Sequence, residues 1–426
     1  MNIRFYNVRL ITMEGGVWVE EGELWVKGNK IAYVGPENKG AAAKESWDRE
    51  IDGQGNVLMP GFKDAHTHSA MTFLRSYADD LPLLDWLHKQ VFPMEDKLRP
   101  EHIAPLTKLA IMEYLTSGIT ANLDMYYFAE EIARAAIETG FRTVIQGSVG
   151  GDASGAERLR QEYEKFKNFH ELISYQLGFH AEYTASRELL EAVAALAEEY
   201  KQPVFTHNSE SESEVAQCIE KTGMTPTAYL DSLGIFNYGG TTFHCVHMTD
   251  EDLDICKKRN ISVVTNPGSN TKLASGVARI NDMLKWGINL GIGTDGPASN
   301  NCLDMFREMF LVTGLGKLKE KDAAAIDAND VLYMATAGGA KAMGLTDCDT
   351  LKEGKLADLV MIDLHQPNMQ PLNNIAKNIV YSGSKQNVKL TMVNGRVLYE
   401  DGKFYIGEEP EAIYAKANEI IQEFKK

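Results

Sequence analysis

The sequence predicts an α/β protein: a (β/α)8 barrel of the TIM type with a small β-sandwich domain built from both chain ends. Two observations carry this. Between about residues 59 and 352, short apolar runs recur eight times, each followed by a segment with helical spacing. Outside that span both ends alternate apolar and polar residues, with Gly and Asn between the runs, and neither end holds enough core to fold alone. The expected division is residues 1–58 and 353–426 for the β-domain, with 59–352 as the barrel.

The N-terminal runs Leu24-Trp25-Val26 and Ile31-Ala32-Tyr33-Val34 read as antiparallel strands joined by tight turns. The texture returns in Asp358-Leu359-Val360-Met361-Ile362 and in 388–396, and helical spacing from Glu411 predicts a terminal helix. In the middle, the expected strands end at His66-Thr67-His68, Asn122-Leu123-Asp124, Val144-Ile145-Gln146, Gly178-Phe179-His180, Thr206-His207, Phe243-His244, Thr265-Asn266 and Thr294-Asp295. Ser186 before Glu188-Leu189-Leu190 and the run Thr249-Asp250-Glu251-Asp252 mark helix starts. A doubly wound open sheet is the alternative. It has neither a G-x-G-x-x-G nor a G-x-x-x-x-G-K-[ST] loop in its favour.

Composition narrows the function. With 43 Lys+Arg against 60 Asp+Glu the formal charge is −17, which disfavours nucleic acid and anionic membrane surfaces as partners. No apolar run is long enough to span a bilayer, and the N-terminus lacks a secretory plan, so a cytoplasmic protein is expected. The five cysteines, Cys218, Cys245, Cys256, Cys302 and Cys348, form no C-x-x-C pair, and the H-x-E…P-C-x-x-C zinc-deaminase signature is absent.

Metal-ligand residue types gather at the strand ends. His66 and His68 are two apart and face the same side of one strand, His207 ends a later strand and Asp295 the last. In a barrel those ends carry the active site. Three imidazoles and a carboxylate suit Zn2+ or Fe2+ with one position left for water. Any one histidine is as readily a packed core residue; coincidence at several strand ends is not. Glu210, three residues past His207, can shuttle protons, whereas Glu212 and Glu214 read as solvated loop residues. His244 can hydrogen-bond a water in the open position; His247, an odd number of residues away, would face the other side of an extended strand. His170-Glu171 opens an H-E-x-x-H pattern, but residue 174 is Ser.

The run Pro60-Gly61-Phe62-Lys63-Asp64-Ala65-His66-Thr67-His68 resembles the opening motif of the amidohydrolase superfamily. Its continuation from Ala70 to Pro82, with His244-Cys245-Val246-His247, Ser269-Asn270-Thr271-Lys272 and Gly293-Thr294-Asp295-Gly296-Pro297-Ala298-Ser299-Asn300-Asn301, resembles the 5′-methylthioadenosine/S-adenosylhomocysteine deaminase branch. The resemblance covers nearly the whole chain. It implies a metal-dependent aminohydrolase with one divalent metal on His66, His68, His207 and Asp295, and with Glu210, His244 and Asp295 as the catalytic groups. It implies an adenine nucleoside as the small-molecule substrate, contacted by Glu95, Arg158, His180 and the position of Gln146, and a homo-oligomer. The expected fourth strand, Tyr175-Gln176-Leu177-Gly178-Phe179-His180, has no Lys to bridge a second metal. Three positions depart from the pattern: Gln146 stands for an arginine, Glu182 for a proline and Thr265 for a histidine. The extra carboxylate of Glu182 predicts a smaller, neutral or cationic 5′ substituent. Rival readings are hydrolysis of a free nucleobase or other N-heterocycle such as guanine, cytosine or a triazine, and a non-catalytic metal-binding protein.

Overall fold

The computed structural model describes residues 1–81 and 86–425; Pro82, at the end of the quoted motif, lies outside the described residues. Among the described residues the chain opens with β1 (Asn2–Leu10), β2 (Glu20–Lys27), β3 (Lys30–Gly35), β4 (Arg49–Asp52) and β5 (Val57–Pro60). It continues with β6 (Phe62–Thr67), β7 (Ile119–Asp124), β8 (Arg142–Gln146), β9 (Ile173–Gly178), β10 (Val204–Asn208), β11 (Gly240–His244), β12 (Ile261–Thr265) and β13 (Leu290–Ile292). It closes with β14 (Leu359–Ile362), β15 (Val388–Val393), β16 (Arg396–Glu400) and β17 (Lys403–Phe404).

Strands β6 to β13 form one parallel sheet in sequence order. Nearly every residue in them is buried, because helices cover the outer face and side chains fill the interior. Ala65, Leu123, Val144, Phe205, Phe243 and Val264 make up much of that interior. The sheet curls shut where β6 meets the end of β13: the Asp295 N–H donates to the His66 carbonyl at 3.0 Å. Beside it, Asp64 accepts the Thr294 N–H at 2.8 Å and its hydroxyl at 2.6 Å. Gly293 is required for this closure, since a Cβ there would lie 2.4 Å from Asn266 Oδ1 and 2.6 Å from the His66 carbonyl. The helix starts are as expected: Ser186 Oγ accepts the Leu189 N–H, and Thr249 and Asp252 cap each other.

The second sheet joins both chain ends in the order β17-β16-β15-β14-β5-β1-β2-β3, with β4 beside β1. It encloses a core of its own that includes Ile3, Phe5, Leu24, Val26, Leu359, Met361 and Leu390. One expectation needs correction. β4 and β5 run parallel to β1 rather than antiparallel, because the chain crosses back after β3 through a short helix before pairing. Barrel and sheet are joined by a buried ion pair in which Arg142 grips Asp358 through Nε at 2.6 Å and Nη2 at 3.1 Å. The terminal helix spans Pro410–Phe424 and packs on the helix Pro100–Thr116. No helix among the described residues is long and apolar enough to cross a membrane.

Candidate metal centre and its cleft

His66, His68, His207 and Asp295 each bring one ligand atom to a common point at the C-terminal ends of β6, β10 and β13, all within 4.8 Å of one another. Asp295 Oδ1 lies 3.2 Å from His68 Nε2 and 3.6 Å from His66 Nε2. Backbone carbonyls fix two of the rings. His68 Nδ1 lies 2.6 Å from the Met125 carbonyl and His207 Nδ1 2.7 Å from the His180 carbonyl. A carbonyl only accepts, so both Nδ1 atoms carry hydrogen and both Nε2 atoms face the cluster. His66 stacks on Phe243 with ring centroids 3.9 Å apart. Its two nitrogens are buried with no hydrogen-bond partner. Such burial is costly in a folded protein unless another group takes up the lone pair, and a bound cation fits that need. The other carboxylate oxygen, Asp295 Oδ2, accepts hydroxyls from Ser269 at 2.6 Å and Ser299 at 2.7 Å.

The electrostatics agree with a cation site. Burial holds His66 and His207 well below the usual imidazole range, keeping them in the neutral, ligating form. Burial also opposes charge on His68, but Asp295 outweighs it and lifts the ring to about 9, so a cation entering here competes with that proton. Burial by itself would raise Asp295; the bond and charge of His68 reverse this and hold it well below the carboxylate range.

Glu210 and His244 share the cleft with this cluster. Burial raises the Glu210 carboxyl, and Ser275 Oγ lies 3.5 Å from its Oε1. His244 Nδ1 donates to Asn270 Oδ1 at 2.8 Å and sits 3.8 Å from Glu210 Oε1, which leaves its Nε2 free as an acceptor. Left-handed backbone at Ser209 (φ 50°), His244 (φ 68°), Cys245 (φ 49°) and Asp295 (φ 57°) concentrates strain around the site. The cleft is lined by the apolar side chains of Trp86, Leu87, Val91 and Phe92 and by polar groups that include Glu95, Tyr126, Tyr127 and Tyr183.

A parallel barrel with this ligand set at its strand ends invites comparison with known proteins. The sequence matches the amidohydrolase family over residues 57–398. The chain belongs to that family. This amidohydrolase is 37% identical to a 5-methylthioadenosine/S-adenosylhomocysteine deaminase of Thermoanaerobacter pseudethanolicus, over 99% of this chain and 100% of the relative. It is 38% identical to a 5′-deoxyadenosine deaminase of Methanothermobacter thermautotrophicus, over 92% of each. A crystal structure of an adenosine deaminase from Xanthomonas campestris with bound zinc superposes with a TM-score of 0.93 at 32% identity, covering 100% of this chain and 98% of that one. The amidohydrolase is thus an enzyme that hydrolyses carbon–nitrogen bonds, and its histidine–aspartate cluster suits a single divalent metal ion.

The remaining expected residues divide. His180 lines the cleft, and burial lowers it to about 4. Glu95 also lines it, accepts the Tyr126 hydroxyl at 2.6 Å, and is raised by burial to about 6. Arg158 is exposed and bonds the Ser148 carbonyl at 3.2 Å, behind a residue that lines the cleft. Gln146 does not line it: its amide donates to the Phe205 carbonyl at 3.1 Å inside the barrel. Glu182 does not line the cleft; it bonds the buried Cys218 and, with Lys221, lines a separate surface pocket, while Tyr183 reaches the cleft. The smaller, neutral or cationic substituent expected from its charge therefore loses its basis. Thr265 lies outside the cleft too. His247 bonds the Ser275 carbonyl at 2.7 Å, also outside.

Glu212 is exposed as expected, but Glu214 is not a solvated residue. It is buried, its carboxyl is raised to about 7 by burial and by the charge of Glu210, and it caps the loop that carries Glu210. The sequence did hold a signal for this, the capping-box pair Ser211 and Glu214. The sequence pattern gives no role to Ser269, Ser299, Asn270 or Tyr126, although the first three stand inside the quoted motifs.

Proposed function

We propose that this amidohydrolase deaminates adenine nucleosides such as 5′-methylthioadenosine, S-adenosylhomocysteine, 5′-deoxyadenosine or adenosine, giving the inosine analogue and ammonia. The observation that carries the reading is Glu210: a buried carboxyl, raised by that burial, that opens into the same cleft as the convergent ligand atoms. The relatives named for methylthioadenosine, adenosylhomocysteine and deoxyadenosine deamination support it.

His66, His68, His207 and Asp295 would hold the metal, and the zinc of the related adenosine deaminase favours zinc over iron. When bound, such an ion supplies Lewis acidity that brings the pKa of water from 15.7 to about 7, so hydroxide is available at neutral pH. Glu210 delivers a proton to the ring nitrogen beside the amino-bearing carbon and makes that carbon electrophilic. The free Nε2 of His244 and the carboxylate of Asp295 orient the attacking water and take up its proton. A bond forms between that oxygen and the ring carbon, giving a tetrahedral species. The carbon–nitrogen bond then breaks: the amino group takes the water's proton back from these side chains and leaves as ammonia, while the new hydroxyl returns its proton to Glu210 and becomes the carbonyl of the inosine analogue. Glu95, half-buried and accepting the Tyr126 hydroxyl, would accept hydrogen bonds from the two ribose hydroxyls.

The test is ammonia release from a panel of 5′-methylthioadenosine, S-adenosylhomocysteine, 5′-deoxyadenosine, adenosine, guanine and cytosine, with elemental analysis of the same preparation. Turnover of nucleosides with about one metal per chain is expected. Turnover of free bases alone overturns the nucleoside reading; no turnover of any member overturns the reaction.

A further inference from the structure

We infer that Glu214 is a positioning residue, whose carboxylate fixes the backbone that aims Glu210 into the cleft. The inference rests on the shuttle role proposed for Glu210.

Glu214 opens the helix Glu212–Thr222 as the third residue after the cap Ser211. In an ordinary capping box a glutamate here reaches back to the N–H of the cap residue and nothing more. Here that bond is the longest of three, at 3.4 Å. The two short bonds go further upstream: Glu214 Oε2 accepts the Glu210 N–H at 2.7 Å, and Oε1 accepts the Ser209 N–H at 2.8 Å. Both oxygens are thus committed to the loop that carries the shuttle, and the side chain is only 5% exposed.

That loop needs holding. Ser209 adopts φ 50°, a left-handed conformation that a residue with a Cβ keeps only where its surroundings impose it. The Ser209 carbonyl is clamped from the other side, accepting the N–H groups of Val246 and His247 at 3.0 Å each. Those two residues follow directly on the strained turn at His244 and Cys245. The Ser209 unit therefore ties the loop of Glu210 to the turn of His244, with Glu214 gripping one end. Capping the helix requires none of this, because Ser211 Oγ already accepts the Glu214 N–H.

The experiment uses the metal-loaded, full-length enzyme and the nucleoside of the panel that it deaminates fastest. Glu214→Gln removes one acceptor oxygen and sets an NH2 against a backbone donor. A displacement of about 1 Å at a catalytic group costs on the order of 100-fold, so kcat should fall about 10- to 100-fold. KM should stay within about threefold and the metal content should not change, because Glu214 touches neither substrate nor ligand. In a Glu210→Gln background the same substitution should change the residual kcat by less than about threefold, since residues acting through one group are not additive. Ser211→Ala, which weakens the cap but keeps the carboxylate, should retain wild-type kcat with a lower thermal midpoint. An equal loss from Glu214→Gln in both backgrounds, or an equal loss from Ser211→Ala, overturns the inference and leaves Glu214 a helix cap. If Glu214→Gln does not fold, Glu214→Asp keeps the charge but is too short to reach both amides. It should lose kcat likewise, and wild-type kcat from it also overturns the inference. An unchanged kcat in Glu210→Gln alone is a different result: it rejects the shuttle role itself.

Discussion

Asp295 offers one oxygen to the histidine cluster and keeps the other for Ser269 and Ser299, at 2.6 and 2.7 Å. This arrangement predicts that two serines with no direct access to a metal set how tightly it binds. A hydrogen bond to a charged group contributes about 1.5–3 kcal/mol net, and loss of a partner that orients a ligand weakens metal affinity about 10- to 100-fold. The second figure converts to about 1.4–2.7 kcal/mol, so the two routes agree. Ser269→Ala or Ser299→Ala alone leaves one hydroxyl on Oδ2 and should weaken zinc binding by that 10- to 100-fold. The double variant leaves a buried anionic oxygen with neither partner, and should lose at least the product of the two, on the order of 10² to 10⁴. Competition against a chromophoric chelator of known affinity measures the constant directly. With zinc in excess of its weakened affinity, the single variants should regain most of their turnover. Wild-type zinc affinity in the double variant would refute the reasoning, because the hydroxyls would then do no more than fill space.

Glu210→Gln should lower kcat by about 10²- to 10⁴-fold, the usual contribution of a general acid–base, while metal content by elemental analysis is unchanged. Glu95→Ala should raise KM for nucleosides about tenfold or more, at the cost of hydrogen bonds to a charged acceptor; equal KM values in initial-rate assays would remove Glu95 from ribose recognition. Asp358→Asn leaves Arg142 buried without its counter-charge and should cost about 3–5 kcal/mol in denaturant unfolding. Burial would raise the Asp358 carboxyl, but Arg142 outweighs it and holds it low. Its contribution is therefore complete above the unfolded carboxylate value of about 3.9 and is lost as pH falls through the lower folded value. The stability gap between wild type and Asp358→Asn should close only under those acidic conditions.

The convergence of the candidate ligands was legible in the sequence for a plain reason. A histidine or aspartate that ends an apolar, fully buried strand has nowhere to point except the mouth of the barrel, so His66, His207 and Asp295 could be placed without knowing what surrounds them. What holds those ligands was not legible. Ser269 lies in the short helix Pro267–Lys272 and Ser299 in the turn that follows Asp295, and the two meet only at the Asp295 carboxylate. Likewise, the parallel pairing of β4 and β5 with β1 depends on the path of the crossover, which alternation of apolar and polar residues does not encode. Gln146 shows the same limit. It is still within β8, where its amide reaches across the barrel interior to the backbone of β10, two strands away, and the cleft begins two residues later at Ser148.

Alternation favours His244 over His247, and in the structure His244 lines the cleft while His247 does not, for a different reason. β11 stops at His244, and with φ values of 68° and 49° at residues 244 and 245 the chain leaves the strand before the alternation can reach residue 247. His247 is then captured by the Ser275 carbonyl, and His244 is held by Asn270. The period-two rule applies only while the backbone stays extended. Residues 209, 244, 245 and 295 all depart from it within the same few turns, so local pattern stops being informative where the proposed chemistry begins. Side-chain direction there is set by hydrogen bonds between loops. That is why Glu214, which supplies the shortest of those bonds to the loop carrying Glu210, reads from the sequence as one more acidic residue in a charged run.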